Sequence, residues 1–325
     1  MGPLPEGDRS GGVAVFTLRL GYKLMALGYD VTIFSKNSKP YINSGNILNI
    51  RNLKKSIKHN RPDIIISSLW YSLFILNVKS VVKVHLLHGF TNLKSYGLLK
   101  FILMIIFDKI VRSKFDYVLA NSFFTKSINE EMFNISVDNT FRIGLPEKEI
   151  IDLSVKIPKD GVLYLGRLVK AKNVDKVIRA FNHIEFDDEK LTIVGYGPQE
   201  EYLKQIASPN NIFVGAVPNG KVVDFYRSAK VFVSLNPSEP YGITYLEALI
   251  ADDFVIAPNT GGQVELLKEF GDRVILVNIQ NISEIESAIK VGLRKTLTPF
   301  NEAYDLEKFT YSRTVNDILK VTYDS

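Results

Sequence analysis

Residues 238 to 249 read Ser-Glu-Pro-Tyr-Gly-Ile-Thr-Tyr-Leu-Glu-Ala-Leu, and they place two carboxylates, Glu239 and Glu247, seven residues apart. Pro240 and Gly242 favour a tight loop, and the apolar run behind them predicts a helix starting near Gly242, with Thr244 helping to cap it. Tyr241, Gly242, Ile243 and Thr244 then lie at the helix entrance. Glu239 sits in the loop before it, and Glu247 about one turn inside. N–H groups at a helix start attract an anion such as phosphate. The stretch therefore offers a phosphate seat with two acids beside it that can hold hydroxyls, both facing one cleft.

A second cluster adds cations. Val162-Leu163-Tyr164-Leu165 is a short apolar run of strand length, followed by Gly166-Arg167-Leu168-Val169-Lys170-Ala171-Lys172-Asn173. Apolar residues then recur at Val174, Val177, Ile178 and Phe181 with a helical period. In an open α/β sheet, ligands bind outside the carboxyl ends of the strands. Arg167, a planar fork of donors, and Lys172, a mobile point charge, would thus stand where a diphosphate sits.

The elements that must hold these residues alternate. Strands are expected at Val31–Phe34, Ile64–Ser67, Val82–Leu87, Tyr117–Ala120 and Thr140–Ile143 in the first half. In the second half they are expected at Val162–Leu165, Leu191–Val194, Ile212–Val214, Val231–Ser234, Phe254–Ala257 and Val274–Val277. Helical patterns fall between most of them. Such alternation predicts parallel sheets covered on both faces, and two such halves predict an α/β chain of two Rossmann-like domains. The boundary is expected near residues 146 to 160, which hold Pro146, Pro158 and several charges. The expected division is 1–150, 151–310 and a last helix in 311–325.

Composition narrows the function classes. The 325 residues contain no cysteine and four histidines, which removes disulfides and cysteine metal sites and disfavours a histidine-rich one. No apolar run reaches the ~20 residues of a membrane span, and the Gly- and Pro-rich start is not a signal peptide. A cytoplasmic location fits. The net charge of +5 permits attraction to diphosphates or anionic lipid. No basic run is interleaved with aromatics, so nucleic acid is not an expected partner.

The two clusters together resemble the retaining glycosyltransferases of family 4, with their Glu-x7-Glu motif, Gly-Arg-Leu…Lys signature and GT-B fold. The resemblance covers nearly the whole chain and is strongest from residue 162 to 267. It implies parallel sheets facing a central cleft, with the last helix crossing back to the first domain. The implied reaction moves a sugar, with retention, from a nucleotide diphosphate sugar to an acceptor hydroxyl. A uridine diphosphate sugar is the donor that family frequency favours. Arg167 and Lys172 would bind the diphosphate, Glu239 the donor sugar and Glu247 the ribose. Further donor contacts would come from Gly166, the turn Gly195-Tyr196-Gly197-Pro198, and the segment around Val214 whose backbone would read the base. In the first half, Gly11 and Gly12 in Ser10-Gly11-Gly12-Val13 would let backbone approach phosphate or sugar, and His88 would contact the sugar. Asn121-Ser122 would cap a helix. There is no Asp-x-Asp, so no metal or other cofactor is expected. Acceptors of bacterial cell-surface polysaccharide or glycolipid assembly, lipid-linked oligosaccharides among them, fit the resemblance.

Three further expectations follow. A Rossmann domain begins with a central strand before its glycine loop, yet here the loop begins at Met1-Gly2-Pro3-Leu4-Pro5. The first strand is expected to be missing, leaving an apolar slot and unpaired backbone groups between its neighbours. In-frame codons upstream of Met1 are expected to encode a short Val/Ile/Leu-rich strand. Residues 94–114 hold Lys94, Lys100, Lys109, Arg112 and Lys114 against Asp108 alone, a local charge of 5 − 1 = +4. With the apolar Phe101–Phe107 between them, this segment suits the surface of an anionic membrane. The rival reading is a catalytically silent glycosyltransferase-like partner subunit, favoured by the missing strand and opposed by intact Arg167, Lys172, Glu239 and Glu247. A nicotinamide oxidoreductase lacks the Gly-x-Gly-x-x-Gly fingerprint.

Overall fold

The structure, a computed structural model, describes residues 1–5, 11–36, 46–90, 97–184 and 188–323. Ser10 and Lys94, both named above, lie outside the described residues. The chain divides into two compact units, Met1–Gly144 with Phe309–Ser325, and Leu145–Lys308.

The first unit carries β1 (Ile33–Ser35), β2 (Ile47–Asn49), β3 (Ile64–Ser68), β4 (Val82–Leu87), β5 (Tyr117–Ala120) and β6 (Asn139–Thr140). Its helices are α1 (Gly12–Ala26), α2 (Leu53–Asn60), α3 (Leu98–Lys114), α4 (Phe123–Phe133) and the last helix of the chain, Tyr311–Tyr323. All strand pairs are parallel, but they form two separate sheets, β1-β2 and β3-β4-β5-β6. The split lies between β1 and β3, and among the described residues no strand pairs with both. Two apolar layers cover the strands. Phe34, Leu53, Ile65, Ile75 and Val111 belong to one. Phe16, Leu20, Leu86, Phe141, Val315 and Ile318 belong to the other, so the last helix packs in this unit. The expected strand Thr140–Ile143 is shorter and earlier, because after the Phe141 N–H bonds the Ala120 carbonyl the chain leaves the ladder.

The second unit carries β7 (Asp160–Leu165), β8 (Leu191–Val194), β9 (Asn211–Gly215), β10 (Ala229–Val233), β11 (Phe254–Pro258) and β12 (Val274–Val277). They form one parallel sheet in the order β12-β11-β10-β7-β8-β9. Its helices are α5 (Glu147–Leu153), α6 (Val174–Asn182), α7 (Glu200–Ile206), α8 (Asn219–Ser228), α9 (Ile243–Ile250), α10 (Gln263–Leu267), α11 (Ile282–Arg294) and α12 (Phe300–Ala303); the helix Tyr311–Tyr323 is α13. α6 buries Val174, Val177, Ile178, Ala180 and Phe181, the stripe its period predicts, against the Val162, Tyr164 and Ile193 face of the sheet. The chain leaves β7 towards β8 on one side and returns to β10 on the other. The strand order therefore reverses between β7 and β10, and a ligand crevice belongs outside their carboxyl ends.

Candidate active site

Both sequence clusters emerge at that reversal point. Gly166 to Asn173 follows β7, and Leu235 to Gly242 follows β10. Asn173 stands in the left-handed region (φ 51°) and its side chain donates to the Leu235 carbonyl at 2.8 Å, which ties the basic loop to the end of β10. Lys172 Nζ reaches Glu239 Oε2 at 2.7 Å, with both side chains about one-fifth exposed. Asn236 Nδ2 donates to the same oxygen at 2.8 Å. The Glu239 carbonyl accepts the Gly262 N–H at 2.7 Å, so its backbone is anchored as well. Arg167, on the same loop as Lys172, is exposed. The buried Tyr164 hydroxyl donates to the Arg167 carbonyl at 3.1 Å. Burial raises the Tyr164 phenol above its ordinary range, Glu239 adds to the rise and Arg167 opposes it, so the phenol stays a donor.

Gly242 caps α9 with φ 93° and ψ 50°, a conformation only glycine adopts freely. A Cβ there would meet Tyr245 Cδ2 at 2.6 Å. The helix starts at Ile243 with no side-chain cap, which corrects the expectation for Thr244: it occupies the second helical position. Tyr241 is buried, and Ile243 and Thr244 are half-buried. Glu247 lies one turn inside, as expected. Its Oε2 accepts the Tyr226 hydroxyl at 2.8 Å, and that ring, on α8, is 1% exposed. Burial first, and then the Glu247 carboxylate, push the Tyr226 phenol well up, so it too acts only as donor.

The glycine turn after β8 packs on the loop after β7. Gly195 has φ 141°, and a side chain there would collide with the Gly166 carbonyl oxygen. Its N–H bonds the Gly215 carbonyl at 2.8 Å, next to Val214, which is exposed on the edge strand β9.

In the other unit, Gly11 is the N-cap of α1, and among the described residues beyond the chain neighbours and α1's own backbone no atom stands within 4 Å of where a Cβ on Gly11 or Gly12 would be. His88 follows β4. Its Nε2 lies 3.0 Å from Ser68 Oγ, and its ring meets Phe16 of α1 edge-on at 4.7 Å. Burial lowers its pKa to about 4, so it is neutral at physiological pH. Ser122 caps α4 as expected, accepting the Thr125 N–H at 2.9 Å. Arg112 of α3 is engaged by Asp138 at 3.0 Å and Ser136 at 2.8 Å.

The structure thus brings Lys172 and Glu239 into contact, with Arg167, Gly166, Gly195 and the α9 entrance on neighbouring loops. Glu247 makes its hydrogen bond to a different partner. Asn173, Asn236, Ser68 and Tyr226 have no role in the sequence reading. Asn173 carried a helix-start signal, an Asn directly before the periodic run. Asn236 and Ser68 each stand at a strand end, but Tyr226 gave no local sign, because it meets Glu247 only through the packing of α8.

A family profile described as Glycosyl transferases group 1 matches residues 148–301, and one described as Glycosyltransferase Family 4 matches residues 10–143. An uncharacterized glycosyltransferase of Methanocaldococcus jannaschii is 30% identical over 168 residues, 44% of this chain and 43% of that protein. The alpha-monoglucosyldiacylglycerol synthase of Streptococcus pneumoniae is 33% identical over 112 residues, 32% of this chain and 25% of that protein. The chain thus spans less than half the length of these curated relatives. The Anabaena protein Alr3699/HepE, solved in complex with UDP and glucose, shares the fold with a TM-score of 0.71 at 15% identity, over 100% of this chain and 99% of that one. With two profiles that between them span most of the sequence and a parallel α/β architecture matched from end to end, this chain belongs to the family 4, group 1 glycosyltransferases of GT-B fold.

Proposed function

We propose that the protein transfers a sugar, with retention, from a nucleotide diphosphate sugar to an acceptor hydroxyl. The observation that carries this reading is the Lys172–Glu239 pair at the β7/β10 reversal, beside the exposed Arg167 and the entrance of α9. Arg167, Lys172 and the first N–H groups of α9 face the charge that develops on the leaving diphosphate, where preorganised donors lower the barrier most. Both side-chain donors on Glu239 act at Oε2, so Oε1 keeps its capacity to accept a sugar hydroxyl. Glu247, oriented by Tyr226, takes the ribose, while Gly195 and Val214 flank the base. In this reading Leu145–Lys308 is the donor unit and the other unit carries the acceptor surface, where the neutral His88 serves as a hydrogen-bonding group. No metal enters the scheme.

The UDP bound by the Anabaena neighbour supports a uridine diphosphate sugar as donor. A panel of nucleotide sugars in a thermal-shift assay tests this, because the true donor raises the melting temperature by mass action. Purified protein should then hydrolyse or transfer that donor. Binding without either reaction would favour the silent-subunit reading.

A lipid-linked acceptor is favoured by α3. Leu98, Ile102, Ile106 and Ile110 recur every four residues on its surface with Leu99 and Leu103, and Leu99 is 75% exposed. The opposite face buries Val111 and packs Phe107. An apolar stripe outside a packed helix, edged by Lys100, Lys109 and Lys114, suits peripheral docking on the anionic inner face of a plasma membrane. Among the described residues no helix is long and apolar enough to cross a membrane.

A further inference from the structure

The Tyr226–Glu247 hydrogen bond exists only while two helices of the second unit keep a fixed relation. Tyr226 stands in the last turn of α8 and Glu247 in the middle of α9, and their 2.8 Å contact is made by a phenol that is 1% exposed. The ring also packs on Phe232 of β10, with centroids 5.5 Å apart. Both helices end where the next strand begins, α8 at Ala229 of β10 and α9 just before Phe254 of β11. In a parallel sheet that is the end opposite to the loops of the candidate site. A helix end there presents carbonyls with no partner inside the helix.

Lys159 joins those two ends. It stands directly before β7, and its side chain is 20% exposed. Its Nζ donates to the Tyr226 carbonyl at 3.1 Å and to the Ala229 carbonyl at 2.7 Å. That closes the carboxyl end of α8 with a cation, the charge such an end favours. Nζ also donates to Asp253 Oδ1 at 2.5 Å. Asp253 is tied to α9, since its N–H bonds the carbonyl of Ala248 at 2.9 Å, and Ala248 follows Glu247. One ammonium thus clamps α8 to α9. It grips Tyr226 itself and, through Asp253, the neighbour of Glu247.

Stability alone does not account for this arrangement. Asp253 is fully buried, and its Oδ2 finds no hydrogen-bond partner among the described residues. Desolvating a buried ion pair offsets much of its attraction, and an unpaired buried oxygen adds to the cost. The directed bonds to Tyr226 and Ala229 supply something an apolar contact does not. They fix the rotation and height of α8, which decide where the Tyr226 hydroxyl falls. We propose that Lys159, on the reading that Glu247 holds the ribose, is a positioning residue for nucleotide recognition. By clamping α8 to α9 it sets the Tyr226–Glu247 bond and so aims the Glu247 carboxylate.

Lys159→Met, which keeps the length of the side chain and loses its donors, tests this with two ligands and one ligand-free signal. By calorimetry, affinity for uridine diphosphate should fall about tenfold, the worth of one aimed hydrogen bond to a charged group, while affinity for inorganic pyrophosphate, which has no ribose, should stay within about twofold of wild type. Tyr226→Phe should give the same two results, and the double variant should lose no more than either alone, because both act through one bond. Without ligand, in protein carrying isotope-labelled glutamate, the Glu247 carboxyl carbon resonance should move in Lys159→Met as it moves in Tyr226→Phe. Where Lys159→Met alone does not fold, Lys159→Met with Asp253→Leu leaves no buried charge unpaired and should give the same readings. Equal weakening of both ligands, the mark of a merely structural role, or a Glu247 resonance that stays in place would overturn the proposal. Undiminished uridine diphosphate affinity in Glu247→Ala would instead overturn the ribose reading, whatever the resonance shows.

Discussion

At Glu239 two donors from different loops, Lys172 and Asn236, meet one carboxylate oxygen. Because both partners of the ion pair are partly exposed, its worth to stability is small, about 0–1 kcal/mol. In the proposed site its significance is positional: the pair would hold Lys172 within reach of a ligand that Glu239 also touches. Lys172→Ala and Arg167→Ala should therefore melt close to wild type yet each lose ~10²–10³ in turnover, the usual cost of one preorganised charge contact. Glu239→Gln should impair transfer more than binding of the free nucleoside diphosphate, which has no sugar. Glu247→Ala should weaken the free nucleotide as well. Calorimetry on the two variants separates them, and equal losses would remove the division of roles. Where Arg167, Lys172, Glu239 and Glu247 stand, on the segments that follow β7 and β10, was legible in the sequence because each sits in a short motif behind an apolar strand run. The residues that orient them were not. Asn236 and Tyr226 work across contacts that exist only after β10, α8 and α9 have packed, and no local spacing encodes that.

Elements were legible in proportion to their apolar run. β4, β5, β8 and β12 stand at their expected bounds, each a continuous run that a buried parallel strand requires. β2 escaped notice: three residues at an edge, Ile47–Asn49, carry too little pattern. α3 is the instructive case. From sequence, Phe101–Phe107 is apolar all round, which fits a core helix and a membrane-surface helix equally. The structure separates two faces, with Phe107 packed inward and Leu99, Leu103 and Ile106 outward. It also removes Arg112 from the docking charges, since Asp138 and Ser136 hold it. Vesicle sedimentation should show binding that needs anionic lipid, weakens with salt, and falls several-fold when Lys100, Lys109 and Lys114 become Glu, at ~1 kcal/mol per charge near the surface. Leu99→Asp with Leu103→Asp should reduce binding at any ionic strength. Wild-type sedimentation by both variants would mean that α3 is not the docking surface.

For the whole molecule, the two units have separate cores and respond to different variables, so they should melt in two transitions. In the proposed reading Leu145–Lys308 holds the nucleotide site. A nucleoside diphosphate at 100 times its dissociation constant stabilises it by ~2.7 kcal/mol, which for a domain of this size is about 5–10 °C. The other unit should not shift. It responds to acid instead. Burial lowers His88 to about 4 and His85 to about 3, with His88 adding to the shift at His85. A base with a depressed folded pKa favours folding above its unfolded value, and that preference is lost as pH falls through the interval between the two. For the two histidines the interval runs from 6.5 to about 4 and about 3. Asp108 opposes them. Burial raises it to about 7, so its penalty is full above that pH and fades towards 3.8. Below pH 6.5 the two histidines outweigh the one carboxylate, and the transition of this unit should fall from pH 6.5 to pH 4. Asp108→Asn should raise that transition most at pH 8 and steepen its fall with acid. Differential scanning calorimetry at several pH values, with and without nucleotide, reads all of this in one series. A single transition that nucleotide and acid move together would show that the two units unfold as one.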